Sequence, residues 1–421
     1  MNYNPPRAGR VTANGRNYRM PDVPRVVVCI DGSEPGYIER AIEQGLAPNF
    51  ARLMAQGSNL VALSVIPSFT NPNNISIITG APPAVHGIAG NYFYDPDTRQ
   101  EVMMNDARFM RAPTVMQAFH EGGAKVAIVT AKDKLRTLLG NGLDFASGRA
   151  VAFSSERADK ATLADNGIAD VPARVGMPVP DVYSARLSEF VMAAGVSLLR
   201  RERPDLMYLS TTDYVQHKAA PGTPAANDFY AMMDRYVGEL DALGCVLALT
   251  ADHGMNDKHL PNGEPDVIYL QDLFDDWLGK DAARVILPIT DPYVAHHGAL
   301  GSFATVYAPS GVALNELVGR LRGVEGVDVA IGRAEACKRF ELPGDRIGDI
   351  VVTSTVHKVL GTSRDRHDLS GLDEPLRSHG GLTEETVPMI VNRKVSLPEG
   401  RRLRNFDVFD IALNHVSQSP S

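Results

Sequence analysis

Three cysteines in 421 residues leave no disulfide framework: Cys29, Cys245 and Cys337 are odd in number and lie far apart. Cys29 and Cys245 sit inside apolar runs, so buried free thiols in a reducing, cytoplasmic setting are expected. No run of about 18 apolar residues occurs, which excludes a spanning helix. The polar N-terminus, Met1 to Met20, carries Arg7, Arg10, Arg16 and Arg19 but no apolar core of a secretion signal. Basic runs are missing too. The net charge is −8, from 42 Lys and Arg against 50 Asp and Glu, which argues against nucleic acid or an anionic membrane as partner. A local basic pocket is compatible with that balance. The partner expected is therefore a small anionic substrate, with a homodimer as the assembly to test. No internal repeat is present, and the one biased segment is the short Ser/Pro tail.

What remains is the composition of an ordinary globular chain, 44% hydrophobic and 22% charged. Its length is large for a single core, so a large domain carrying a smaller insertion is the natural organisation. Arg25 to Asp31 is a short apolar run of the kind buried on both faces of a parallel sheet. Phe50, Leu53 and Met54 follow at helical spacing, and Gly57 is placed to stop that helix. The alternation recurs. Val126 to Val129 follows a helix carrying Val115, Met116 and Phe119. Leu206 to Leu209 follows one with Leu187, Phe190, Val191, Ala194 and Leu198 on one face. Val246 to Leu249 follows another with Phe229, Met233, Tyr236, Val237 and Leu240. The fold class is α/β, a mostly parallel sheet with helices on both faces. Between residues 258 and 368 the texture changes to strand (Phe303 to Tyr307), helix (around Leu314, Leu317 and Val318) and strands (Val327 to Ile331, Asp349 to Val352). This reads as a small inserted α+β cap, leaving residues 1–257 and 369–421 as the core. The sheet resumes near Val387 to Val391, and Asp165 to Pro180 reads as a loop excursion.

Ligands of open α/β sheets bind beyond the carboxyl ends of the strands, so acidic and imidazole residues placed there carry weight. Asp31 ends the first strand, Asp213 and His217 follow Leu209, and Asp252 with His253 follow Leu249. His379 precedes the last strand. Each alone has a bland reading: an Asp after a strand often caps a helix or forms a turn, and an i, i+4 pair such as Asp213 and His217 arises by chance. All four pieces, however, fall at one edge of the sheet. Three carboxylates and three imidazoles suit zinc, and six ligands exceed what one tetrahedral site needs, so two metal ions are expected. Manganese or iron could substitute. Thr70 alone looks like a capping hydroxyl, but beside a zinc centre a hydroxyl gains alkoxide character and becomes a nucleophile.

The order Asp31, Thr70 (in Thr-Asn-Pro-Asn), Thr79-Gly-Ala-Pro-Pro-Ala-Val-His-Gly87, Asp213-x-x-x-His217, Asp252-His-Gly-Met255 and His379 resembles the alkaline phosphatase superfamily. It is most similar to the branch of nucleotide pyrophosphatase/phosphodiesterases and phosphonoacetate hydrolases. The resemblance runs from about Arg25 to Val391 and implies an alkaline-phosphatase-like core. It implies one metal on Asp213, His217 and His379, and the other on Asp31, Asp252, His253 and the oxygen of the nucleophile, Thr70. The sulfatase pattern is absent, and mutases and alkaline phosphatases proper use Ser where Thr70 stands. Asn14 to Tyr18, Val26 to Pro35 and Gly90 to Phe93 look most like phosphonoacetate hydrolases, which implies hydrolysis of a P–C bond. Asn91 is similar to the family's Asn that donates to a phosphoryl oxygen. Lys132 and Lys134 follow the strand Val126 to Val129, so they read either as solvated side chains or as a cationic pocket for a substrate carboxylate. His86 reads as a structural residue of its loop. The alternative activity is that of a phosphodiesterase or nucleotide pyrophosphatase using the same centre.

Overall fold

In the computed structural model, residues 9–95, 97–289, 300–370, 372 and 374–417 are described. Arg7 and residues 418–421 of the Ser/Pro tail lie outside them. The strands of the central sheet are, in chain order, β1 (Arg25–Cys29), β2 (Ser58–Leu63), β3 (Val126–Thr130), β4 (Ala150–Ser154), β5 (Leu206–Ser210), β6 (Val246–Thr250) and β7 (Thr386–Val391). They lie in the order β2-β7-β6-β1-β5-β3-β4. β6, β1, β5, β3 and β4 are parallel neighbours, while β7 runs antiparallel to β6 and β2.

Every residue of β1, β3, β5 and β6 is buried, which is why these strands read as unbroken apolar runs rather than alternating ones. Alternate side chains of β1 enter opposite layers. Val26 and Val28 join α1 (Pro35–Glu43), α2 (Pro48–Gln56), the helix Arg186–Arg201 and the helix Pro224–Ala242 on one face. Val27 and Cys29 join α3 (Thr70–Thr79), α4 (Val115–Glu121) and α5 (Asp133–Leu139) on the other. Cys29 and Cys245 are buried free thiols, one in each layer. Gly57 does end α2, and its need for glycine is a close approach: a Cβ there would stand 2.0 Å from the Val391 carbonyl oxygen.

A second, antiparallel sheet has the order Arg284–Ile286, Phe303–Tyr307, Ile350–Ser354, Val327–Gly332. Helices Leu314–Arg322 and Arg333–Phe340 pack on it through a third apolar cluster. Phe69 belongs to that cluster and meets Phe303 edge-on at 6.2 Å, so the second sheet braces the start of α3. Some elements escape a reading by periodicity. Strands Arg10–Ala13 with Arg16–Arg19, and Tyr92–Asp95 with Gln100–Met103, form two hairpins too short to show alternation. Within the stretch read as an excursion, Leu163–Asn166 and Val171–Val175 are single helical turns closed by Gly167 and Gly176, again below the length at which a period emerges. Among the described residues, no helix is long and apolar enough to cross a membrane.

Candidate metal centre

Parallel strands bring their carboxyl ends to one edge, and Asp31, Asp213, Asp252 and His253 follow β1, β5 and β6 there. Because β7 is antiparallel, the segment before it reaches the same edge and delivers His379. These five side chains and His217 are all buried. Gly32 turns the chain after Asp31 at φ +69°, and a Cβ on it would lie 2.9 Å from Asp213 Cβ. Only glycine suits both the left-handed turn and that approach.

Asp213 Oδ2 lies 3.0 Å from His217 Nε2 and 3.8 Å from His379 Nε2. Across from them, His253 Nε2 lies 3.4 Å from Asp31 Oδ1 and 3.8 Å from Asp252 Oδ2. The His253 and His379 rings stack with centroids 3.6 Å apart. Donor atoms of Asp213, His217 and His379 lie within 4.8 Å of one another, as do those of Asp31, Asp213 and His253. Asp213 thus stands where the two groups adjoin.

The imidazoles are oriented by backbone carbonyls, which can only accept. Nδ1 of His217, His253 and His379 lies 3.1, 2.9 and 2.8 Å from the oxygens of Arg377, Gly254 and Ser68. Each Nδ1 therefore carries a proton, and each ring turns its Nε2 toward a carboxylate. Burial, with Asp213 and Asp252 beside it, pushes the Asp31 carboxyl well above its usual range, and burial raises Asp252 as well. Burial opposes ionisation of Asp213 too, but His217, His379 and His253 hold its carboxyl below the usual value. His379 is pushed well down by burial and by the other two imidazoles. Asp31 Oδ1 is buried with no hydrogen-bond partner among the described residues. Three carboxylates crowded in a dry site repel one another unless a cation lies between them, and with three imidazoles beside them this donor set fits divalent ions.

Thr70 is the first residue of α3, and its Oγ1 lies 3.4 Å from His253 Nε2. The positive end of the helix dipole favours negative charge at that hydroxyl. Two buried asparagines, to which the sequence reading assigned no role, hold this helix start. Asn73 Nδ2 donates to the carbonyls of Val65, Pro67 and Phe69, and its Oδ1 accepts from Val65 N. Asn74 Nδ2 donates to Asp252 Oδ2 at 3.0 Å and to Thr70 O at 3.1 Å, while its Oδ1 accepts from Tyr208 and Ser210. Nothing but their place immediately ahead of the apolar run Ile75 to Ile78 could have flagged them. Arg377 is buried as well: its guanidinium donates to Gln216 O at 2.8 Å, to Tyr37 Oη and Met255 O at 3.2 Å each, and pairs with Asp257. It ties the His217 turn to the segment carrying His379.

Lys132 stands half-buried just ahead of α5, its ammonium 3.3 Å from the Val182 carbonyl. Burial lowers its pKa, against the pull of Glu156, Asp213 and Asp31, so its charge senses the centre. Lys134, in the first turn of α5, is exposed. Asn91 is buried and held by its backbone, which donates to Pro288 O at 2.9 Å and accepts from Met104 N at 2.8 Å. His86 lies apart in the core, bonded to Ser76 Oγ at 2.8 Å and to Ile88 N at 3.1 Å.

An α/β sheet that gathers three carboxylates and three imidazoles at its strand ends offers a site for divalent ions there. The family model of type I phosphodiesterase / nucleotide pyrophosphatase matches residues 25–382, and the chain belongs to that family. Phosphonoacetate hydrolase from Sinorhizobium meliloti 1021, solved with phosphonoformate and with phosphonoacetate, superposes with a TM-score of 0.94 in both complexes. The identity is 65% and 64%, covering 96% of this chain and 98% of that one. Murine ectonucleotide pyrophosphatase / phosphodiesterase 5 shares the fold at a TM-score of 0.61 and 17% identity, over 94% of this chain and 97% of that one. A pyrophosphatase/phosphodiesterase of Schizosaccharomyces pombe, itself uncharacterized, is 25% identical over 282 residues, 64% of this chain and 51% of that one. The chain thus spans about half that relative's length.

Proposed function

We propose that the chain hydrolyses the P–C bond of phosphonoacetate, giving acetate and phosphate, at a di-zinc centre with Thr70 as nucleophile. The observation that carries this reading is the 65% identity, over nearly the whole chain, to a phosphonoacetate hydrolase. Lys132, half-buried at the same edge and sensing Asp31 and Asp213, adds a cation suited to the substrate carboxylate. Asp213, His217 and His379 would hold one divalent ion and Asp31, Asp252, His253 and Thr70 the other, supplying Lewis-acid charge that favours the alkoxide and neutralises phosphoryl oxygens. Zinc suits this mixture of nitrogen and oxygen donors, and manganese or iron are the substitutes.

Thr70 Oγ1 attacks phosphorus from the positive end of α3, and the P–C bond breaks. The electron pair goes to the methylene carbon, which is costly unless it spreads onto the neighbouring carboxylate. The Lys132 ammonium stabilises that developing enolate charge, with Lys134 a more distant contributor. Asn91 donates to a phosphoryl oxygen and holds the group in line. The Thr70 hydroxyl proton passes to water, and the carbanion takes up a proton from water in exchange and leaves as acetate. Water then cleaves the phosphothreonine, releasing phosphate and restoring Thr70.

A phosphate-release screen tests this with phosphonoacetate, phosphonopyruvate, aminoethylphosphonate and a nucleotide diester, each with and without added zinc. Phosphonoacetate should be the best substrate and should need the metal. Faster turnover of the diester would instead favour the phosphodiesterase activity of the wider family.

A further inference from the structure

The chain leaves the core after β6 through Gly254 to Lys258 and returns to it through Arg377 to Glu384, ahead of β7. Where these two segments pass, Lys258 and Glu384 form an ion pair with neither side chain exposed at all. Lys258 Nζ donates to Glu384 Oε1 at 2.9 Å and to the Val356 carbonyl at 2.8 Å. Glu384 Oε1 also accepts from Asn256 Nδ2 at 2.7 Å and from the Thr383 hydroxyl, and Oε2 accepts from Gly381 N at 3.0 Å. The backbone repeats the connection: Gly254 N donates to Glu384 O, and Lys258 N to Leu376 O, both at 2.8 Å.

Taking both charges out of water is costly, and the pair repays that cost only because directed hydrogen bonds satisfy both groups. What directed hydrogen bonds add is register. The outgoing segment begins immediately after His253, and Gly381 comes just after His379. Those are the two rings that stack at 3.6 Å while aiming Nε2 at different carboxylates, Asp31 and Asp213. A slip of the returning segment would move His379 off Asp213 but leave His253, fixed to β6, where it is.

We propose that the buried Lys258–Glu384 pair is a positioning clasp: it sets the His379 segment against the His253 segment and so governs metal affinity in the Asp213–His217–His379 half of the centre. The metal part of this statement rests on the two-ion reading above. Glu384 and Lys258 are positioning residues and touch neither metal nor substrate.

The test compares wild type with Lys258→Met, Lys258→Arg and the double variant Lys258→Met/Glu384→Met. Zinc binding is measured by competition with a chromophoric chelator, and hydrogen exchange is measured on the metal-free proteins. The first expectation is at least tenfold faster amide exchange over residues 376–384 in Lys258→Met and in the double variant, with β1, β5 and β6 unchanged. The second is that one zinc equivalent binds with wild-type affinity and the other 10- to 100-fold more weakly. Lys258→Arg should recover part of that loss. The double variant leaves no buried unpaired charge, so it keeps the fold testable if Lys258→Met does not accumulate. Unchanged exchange over residues 376–384 in the double variant overturns the clasp, as do two wild-type zinc affinities in that variant. A wild-type protein that binds a single equivalent overturns the two-ion reading instead, and the exchange data then judge the clasp by themselves.

Discussion

Replacing Asn74 by Ala is the sharpest probe of how the centre is held, because one amide serves four partners. Its Oδ1 is the acceptor for the Tyr208 hydroxyl at 2.7 Å and the Ser210 hydroxyl at 2.9 Å. Its Nδ2 supports Asp252 at 3.0 Å. All of these groups are buried. Ala would orphan two hydroxyl donors, at about 1–3 kcal/mol each, and remove a hydrogen bond to a carboxylate, about 1.5–3 kcal/mol. Neighbours relax and these terms overlap, so a loss of about 3–6 kcal/mol is expected. It is measured on metal-free protein by denaturant unfolding, with near- and far-UV signals required to coincide. Zinc affinity should fall about 10- to 100-fold, the usual consequence of losing a group that orients a ligand. Asn74→Asp separates the two sides of the amide. It keeps both acceptor positions but faces Asp252 with a second carboxylate. Like charges that close raise the pKa of the pair, so this variant should be nearer wild type at pH 5 and lose stability as pH rises toward 8. A loss below about 1 kcal/mol in Asn74→Ala, with unchanged zinc affinity, would refute the reasoning.

Thr70→Ala should abolish turnover of phosphonoacetate while the protein still binds two zinc equivalents; activity within about tenfold of wild type, roughly 1.4 kcal/mol of barrier, would exclude Thr70 as the nucleophile. Lys132→Ala should damage turnover of phosphonoacetate far more than that of a carboxylate-free phosphate ester, and Lys134→Ala much less than Lys132→Ala, since Lys134 is exposed; equal losses on both substrates would sink the carboxylate pocket. Gly32→Ala should fold poorly or lose zinc, because a Cβ would stand 2.9 Å from Asp213 Cβ in a left-handed turn, and atomic absorption of the purified variant reads the loss. His86 is buried and neutral, its pKa pushed down to about 3 from 6.5 by burial and then by Arg346. Below pH 6.5 the unfolded chain takes up a proton that the fold refuses, so this contribution is lost as pH falls from about 6.5 toward 3. Stability relative to His86→Gln should therefore drop by about 2 kcal/mol between pH 7 and pH 5.

Much of the frame was legible because its physics is local. Parallel strands buried on both faces are unbroken apolar runs, and Val26 to Cys29, Leu206 to Leu209 and Val246 to Leu249 announced themselves in that way. The edge on which ligands gather follows from the direction of such strands, so Asp31, Asp213, Asp252, His253 and His379 could be nominated from their positions alone. Short hairpins such as Arg10 to Arg19 could not, since four residues show no period. Nor could Lys132 and Lys134 be told apart, because they are two residues apart on one edge. Packing separates them: Lys132 turns in beneath the Val182 carbonyl, and Lys134 turns out.

The sequence by itself determined which chemical groups stand at the strand ends, because strand order and direction carry them there whatever the side chains do next. Only the tertiary structure decided how those groups are held. The carbonyls of Arg377, Gly254 and Ser68 choose the imidazole tautomers, Asn74 supports Asp252, and Lys258 meets Glu384 across 126 residues of chain. Hydrogen bonds of that kind depend on distances of a few tenths of an ångström between segments remote in sequence. They leave no periodic trace, so folding has to bring them into view.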